Sequence, residues 1–278
     1  MNMLQAVILG IVEGITEFLP VSSTGHLTIT EKLLGLQVDD AGVTAFTAVI
    51  QVGAIAAVLI YFRTDITRLA VAWGRGLVRP ESRGEFDYRF AWYVIAGSVP
   101  IGIIGFAGKD VVAGPLRSLW VVAAALILWS GVMVVAERRA TQERGEHQLT
   151  LRDVLVVGLV QCVALIPGVS RSGATISAGL LRGVDRVTAT RLSFFLSIPA
   201  LTAAGAYEAV SEADAISATV GWGPTLVGTL VSLVVAYASI AWLLRLVVRH
   251  PITVFVWYRI ALGAGLVVAL TTGVIAAT

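Results

Sequence analysis

Uninterrupted apolar stretches recur along the chain at about the length one bilayer crossing needs, roughly 20 residues. They run from Thr44 to Phe62, Phe90 to Ala107, Leu119 to Ala136, Ser193 to Val210, Pro224 to Leu244 and Thr253 to Ala277, and they predict six transmembrane helices. Two further apolar segments, residues 3–30 and 154–181, are interrupted by Pro, Gly and Ser and carry charges inside them. These read as broken helices that re-enter and turn back within the membrane. Backbone that leaves the helix at that depth needs protein or water around it, so both segments are expected to face a polar cavity. The pattern as a whole predicts an all-α polytopic membrane protein.

The broken segments resemble each other at a fixed offset of 148 residues. Gly10-Ile11-Val12-Glu13 aligns with Gly158-Leu159-Val160-Gln161, and Val21-Ser22-Ser23-Thr24-Gly25 with Val169-Ser170-Arg171-Ser172-Gly173. Phe46 falls opposite Phe194, so a span follows each broken segment. The sequence therefore divides into a first repeat, 1–136, a polar cytoplasmic linker, 137–153, and a second repeat, 154–278, each with one re-entrant segment and three spans. Loop charge orients them, because cytoplasmic loops accumulate Lys and Arg. Arg63, Arg68, Arg75, Arg79, Arg83 and Arg89 fall in one loop, Arg138, Arg139, Arg144 and Arg152 in the next, Arg182, Arg186 and Arg191 in a third, and Arg245 and Arg249 in a fourth. All four loops lie on one side only if the two broken segments enter from opposite sides. That is an inverted-topology repeat.

Composition agrees with a bilayer: 57% of the 278 residues are hydrophobic and 14% charged, with a mean hydropathy of +0.86. A net charge of +2 without Lys/Arg patches interleaved with aromatics gives no reason to expect nucleic acid. Cys162 is the single cysteine, so no internal disulfide forms, and it reads as a small packing residue. The first twenty residues lack a basic leader region and place Glu13 and Glu17 where a cleavable signal is apolar, so this segment is expected to be retained.

Charges inside the broken segments are the candidate chemistry. Glu13 and Glu17, four residues apart, fall on one helix face and repel unless a cation relieves them. A hard divalent cation shared with phosphate oxygens suits such a pair; the plainer reading is an ion-paired or proton-sharing duo. Pro20 ends the helix, and Ser22, Ser23 and Thr24 cluster in the turn, as caps for the next helix or as donors to an anion. His26 stands three residues beyond Ser23, where an acid or base titrating near neutrality is useful. In the second repeat Arg171 is the sharpest signal, because an intramembrane guanidinium needs an anion and matches phosphate geometry. Ser170, Ser172 and Thr175 flank it as small donors, and a salt bridge from Arg171 to Glu13 or Glu17 without any ligand is the alternative. Gln161 and Leu165 stand opposite Glu13 and Glu17, so a metal belongs to the first repeat alone. His147 and His250 are expected in solvent, and Trp73, Trp92, Trp120 and Trp222 in an interfacial belt. Arg259, inside the last span, is open to two readings, snorkelling or pairing with a carboxylate.

The run from Glu13 to His26, EGITEFLPVSSTGH, and the run from Pro167 to Thr175, PGVSRSGAT, resemble the two signature motifs of the undecaprenyl-diphosphate phosphatase family, also called the bacitracin-resistance protein family. The resemblance implies a bacterial inner-membrane enzyme that hydrolyses undecaprenyl diphosphate to the monophosphate and so recycles the lipid carrier for cell-wall synthesis. It implies dependence on Mg2+ or Ca2+ and a site open to the extracytoplasmic side, and it leaves a homodimer open. Carried over residue by residue, the metal falls to Glu13 and Glu17. Catalysis is expected of Glu17, Ser23, His26 and Arg171, and phosphate binding of Ser22, Ser170, Arg171, Ser172 and Thr175, with Thr24 added for its place among the hydroxyls of the first turn. Ser23, or a water held by the metal, then attacks while His26 moves the proton. Type 2 phosphatidic acid phosphatases also pair Ser-Gly-His with Ser-Arg, but they need a second histidine that Ala174 to Arg186 lacks. The competing function is a secondary transporter or flippase for the lipid carrier, since inverted repeats with broken helices are also the transporter plan. A non-catalytic scaffold is a weaker third.

Overall fold

The computed structural model describes residues 1–38, 40–108, 111–112, 114, 116, 118–211 and 213–277, without the side chains of 204, 206–211 and 213. The described residues form helices and no strand. Asn2 starts the first helix, α1 (Met3–Thr16), by accepting the Gln5 amide in a reciprocal capping box. Pro20 prevents continuation, and after a turn Ser22 caps α2 (Ser23–Leu33). The second broken segment repeats this plan. Thr150 and Asp153 form the capping box of α7 (Leu151–Gln161), a 3₁₀ turn covers Cys162–Leu165, and Ser170 caps α8 (Arg171–Leu181). The four pieces have 14, 11, 11 and 11 residues. At 1.5 Å per residue they reach about 17–21 Å, short of the roughly 30 Å hydrocarbon core.

Between and after these lie α3 (Ala41–Tyr61), α4 (Arg63–Val78), α5 (Phe86–Ala107), α6 (Leu119–Arg139), α9 (Arg186–Ser211), α10 (Trp222–Arg249) and α11 (Val256–Thr271). Five of the expected spans coincide with helices long and apolar enough to cross a membrane: α3, α5, α6, α10, and α11 with its leading 3₁₀ turn from Ile252. The chain is therefore a polytopic helical membrane protein. The remaining expected span, Ser193 to Val210, falls in α9, a helix of 26 residues whose side chains at 204 and 206–211 lie outside the described residues. One element differs in kind from the expectation. The Arg-rich stretch after Phe62 forms the helix α4, with Leu69, Ala72 and Gly76 buried along one side and Arg75 and Val78 exposed on the other. The sequence places its basic residues in a loop, whereas they occupy the polar side of an amphipathic helix.

Each broken segment packs on a long helix of the opposite half. Gly10 of α1 lies against the Gly228 carbonyl of α10, and Gly158 of α7 against the Gly97 carbonyl of α5, both too close for a Cβ. Small residues at these crossings bring the backbones together where lipid supplies no hydrophobic drive. At one end of the molecule the outer ends of α1 and α2 are joined by Gln5 Nε2 donating to the Leu34 carbonyl at 3.2 Å, and Lys32 Nζ donates to the Ala276 carbonyl at 2.7 Å. The outer ends of α7 and α8 are tied to a different set. Asp153 of α7 receives Arg144 at 2.5 Å and Arg182, just past α8, at 2.8 Å, while separate ion pairs link α4 to its neighbours, Arg68 to Asp87 at 2.5 Å and Glu146 at 3.5 Å and Asp65 to Arg191 at 3.1 Å. Arg186 pairs with Glu137, which also accepts the Ile252 amide at 3.0 Å.

Asp153 is buried at the linker end of α7. Burial opposes its ionisation, but hydrogen bonds from Arg144, Thr150 and Arg182 outweigh that and hold the carboxyl well below the usual carboxylate range. A lowered folded pKa contributes stability above the unfolded value, near pH 4, and that contribution disappears as pH falls below it toward the folded value. Asp153→Asn is therefore expected to destabilise the protein by about 2 kcal/mol at pH 7. Thermal unfolding in detergent checks this: the gap between parent and variant holds at pH 7 and closes as the buffer is acidified below about pH 4.

Candidate active site

Both broken segments bend at serines in the left-handed region, Ser22 with φ 78° and Ser170 with φ 74°, positions that side-chain-bearing residues seldom occupy. The bend turns each serine back to cap its own helix: Ser22 Oγ accepts from the Gly25 amide at 3.4 Å and Ser170 Oγ from the Gly173 amide at 3.2 Å. Ser22 Oγ also accepts from the Gly168 amide of the other half at 3.1 Å, and Ser170 Oγ donates to the Leu19 carbonyl at 3.5 Å. The turns are thus stitched together, with the N-termini of α2 and α8, and their positive dipole ends, beside each other.

Across this seam the charges meet. Arg171 Nη2 donates to Glu17 Oε1 at 3.1 Å, and Ser23 Oγ donates to Glu17 Oε2 at 2.6 Å. The Glu17 side chain is 4% exposed and that of Arg171 11%, so the pair acts in a medium where its field is little screened. The Phe18 ring lies 6.0 Å from the guanidinium. Glu13 is wholly buried within electrostatic reach of Glu17 and Arg171, and among the described residues neither of its oxygens has a hydrogen-bond partner and Arg171 Nη1 has none either. Gln161, at the position equivalent to Glu13, is likewise buried with both polar atoms unpartnered.

The other expected residues divide. Ser172 is buried with its Oγ 3.1 Å from Ser170 Oγ. Thr175 is turned inward, donating to Ser193 Oγ at 2.7 Å and lying 2.9 Å from the Arg171 carbonyl. Thr24 is exposed, one residue past Ser23 on the rim of the turn. His26 Nδ1 meets the Ser22 carbonyl at 2.7 Å, which only accepts, so this nitrogen carries the proton; in the neutral ring Nε2 accepts from the Tyr258 hydroxyl at 2.6 Å. The hydroxyl of Ser23 is held by Glu17 and not by His26. Two residues were missed or undecided in the sequence. Tyr258, half-exposed beside His26, gave no signal. Arg259 neither snorkels nor pairs with a carboxylate: it is fully buried and donates to Ser130 Oγ and to the carbonyls of Pro20, Gly168 and Val169. His147 and His250 are exposed, as expected of solvated loops.

The donor set suits a hard cation in one respect. Glu13 offers two buried oxygens with no donor of their own, and no group of three or more His, Cys, Asp or Glu able to hold a metal occurs among the described residues. Protein carboxylates therefore supply at most a pair of ligand groups, the arrangement in which Mg2+ is completed by phosphate oxygens and water.

A family model described as bacitracin resistance protein BacA matches residues 6–265. The chain is 60% identical over 278 residues to undecaprenyl-diphosphatase 3 of Frankia casuarinae, covering 100% of both chains. It is 55% identical over 284 residues to the undecaprenyl-diphosphatase of Cutibacterium acnes, again with 100% of both covered. To undecaprenyl-diphosphatase 1 of Streptomyces coelicolor it is 58% identical over 272 residues, 98% of this chain and 97% of that one. The seam of carboxylate, serine and arginine thus sits within a match that spans nearly the whole sequence, and the chain belongs to the bacitracin resistance protein BacA family.

Proposed function

We propose that this chain hydrolyses undecaprenyl diphosphate to undecaprenyl phosphate and inorganic phosphate, recycling the lipid carrier for cell-wall synthesis. The observation that carries this reading is the line Ser23–Glu17–Arg171, a nucleophile, an acceptor for its proton and a phosphate-matching cation joined across the two halves. The proposed setting is the bacterial inner membrane, with six spans and two re-entrant hairpins in an inverted repeat and the site open to the extracytoplasmic side. Support comes from α2 and α8, which start 148 residues apart with the same left-handed cap, and from Asp153 of α7, whose ion pairs with Arg144 and Arg182 are separate from the contacts of α1 and α2.

In this mechanism Arg171 turns its unpartnered Nη1 to the terminal phosphoryl and neutralises charge that grows on it in the transition state. Ser23 Oγ attacks the phosphorus and its proton passes to Glu17 Oε2. The bond to the bridging oxygen breaks and undecaprenyl phosphate leaves. Water then releases phosphate from Ser23 with Glu17 acting in reverse. In the alternative route water attacks directly and Ser23 only orders the site. His26 and Tyr258 at the opening carry protons to and from solvent. Glu13 and Glu17 would hold a divalent cation, Mg2+ or Ca2+, which when bound supplies further neutralisation of the diphosphate. Ser22, Ser170 and Ser172 hold the two helix N-termini toward the phosphates, with Thr175 fixing the start of α8 and Thr24 lining the rim.

Phosphate release by purified protein in detergent tests the reading, and a transporter or scaffold releases none. Ser23→Ala is expected to lower the rate by at least about 10²-fold, with radiolabelled phosphate trapped on the parent serine and absent from the variant. Full activity in Ser23→Ala excludes the covalent route.

A further inference from the structure

Arg259 is the largest fully buried side chain in the described part of the protein. A buried guanidinium ordinarily has a carboxylate partner, because an unpaired charge in a low-dielectric interior is expensive. Here all four contacts are neutral. Nε donates to Ser130 Oγ at 3.2 Å, Nη1 to the Pro20 carbonyl at 3.0 Å, and Nη2 to the carbonyls of Gly168 and Val169 at 2.9 and 3.1 Å. The acceptors belong to three elements: the first broken turn, the second broken turn and α6. Pro20 is two residues before Ser22 and three before Ser23. Gly168 and Val169 immediately precede Ser170 and Arg171. The planar fork therefore spans the seam on which Ser23, Glu17 and Arg171 meet, and it grips each turn by carbonyls that have left the helix and have no helical donor.

We propose that Arg259 is a positioning residue for phosphoryl transfer, which fixes the two broken turns against each other so that Ser23 and Arg171 address one phosphorus. It touches no substrate. Its charge is met by main-chain and hydroxyl dipoles alone. The Gly168 amide donating to Ser22 Oγ at 3.1 Å and Ser170 Oγ donating to the Leu19 carbonyl at 3.5 Å join the two turns directly. A turn released by loss of the fork shifts the nucleophile and the cation relative to each other, and a misplacement of about 1 Å costs on the order of 10²-fold in rate. Lysine preserves the charge but offers a single point from which three carbonyls and a hydroxyl cannot all be reached.

This inference rests on the phosphatase reading, and the experiment separates the two. Parent, Arg259→Gln and Arg259→Lys are purified as full chains in detergent. Thermal unfolding is measured for each, and kcat and KM for phosphate release are determined on the monodisperse folded fraction. Absence of phosphate release by the parent overturns the phosphatase reading itself. With an active parent, positioning predicts a kcat about 100-fold lower in folded Arg259→Gln and a KM within roughly fivefold of the parent. It predicts Arg259→Lys in between, folded and about 10-fold slow. A merely structural role leaves kcat per folded molecule unchanged. Parent-like kcat in folded Arg259→Gln overturns the proposal, and should that variant not fold, parent-like kcat in Arg259→Lys does so.

Discussion

Replacing Arg171 by alanine is expected to lower phosphate release by about 10³-fold or more, the range seen when a phosphoryl-stabilising arginine is removed. The loss has two parts. The transition state loses a cation that Glu17 already holds in place at 3.1 Å, so no reorganisation is needed at the moment of reaction. The ground state also suffers, because Glu17, 4% exposed in its side chain, is left without its counter-charge. Removing one partner of such a pair costs about 3–5 kcal/mol, so the alanine variant should unfold at a lower temperature. Arg171→Lys separates the parts: an ammonium restores much of the pairing but not the second donor, which in the parent is Nη1 and has no protein partner. The lysine variant is expected to recover stability while remaining at least about 10²-fold slow, as steady-state phosphate release and thermal unfolding on the same samples will reveal.

Glu17→Gln is expected to be comparably severe for a different reason. Glu17 uses one oxygen for Arg171 and the other for Ser23. An amide has only one acceptor oxygen, so whichever way it turns, its NH2 faces either a guanidinium N–H or the serine hydroxyl, and it takes no proton from Ser23. Loss of a positioned base costs about 10²–10⁴-fold. Because the amide also removes the carboxylate that hydrogen-bonds Arg171, the variant should lie toward the larger figure, with kcat falling more than KM changes. Equal loss in KM alone would place Glu17 in substrate binding rather than in proton transfer.

Much of this site was legible in the sequence because its information is local. The 148-residue offset pairs Ser22 with Ser170, and the structure gives both the same left-handed bend and the same cap. Pro20 and the PGVS run mark the breaks, and an arginine beside the second break calls for an anion, which Arg171 finds in Glu17. What the sequence did not disclose depends on direction and on backbone acceptors. Ser23, Thr24 and Thr175 look alike as hydroxyls beside charges, yet helical rotation turns Ser23 to Glu17 and Thr24 outward, while Thr175 bonds inward to Ser193. His26 is close to Ser23 in sequence, but α2 directs its ring to Tyr258, 232 residues away. The partners of Arg259 are main-chain carbonyls, which no residue type announces. The helix α4 was hidden because its arginines, on the polar side of a helix, have the same composition as a basic loop.

The central claim is that side chains from opposite halves act as one catalytic unit, and a double-variant cycle on phosphate release tests it most directly. Glu17→Gln, Arg171→Lys and the combined variant are compared with the parent on undecaprenyl diphosphate. Residues acting through one contact give non-additive losses, so the account predicts a double variant within about tenfold of the slower single one. A double variant whose loss equals the product of the two single losses would contradict it, because the carboxylate and the guanidinium would then be working apart.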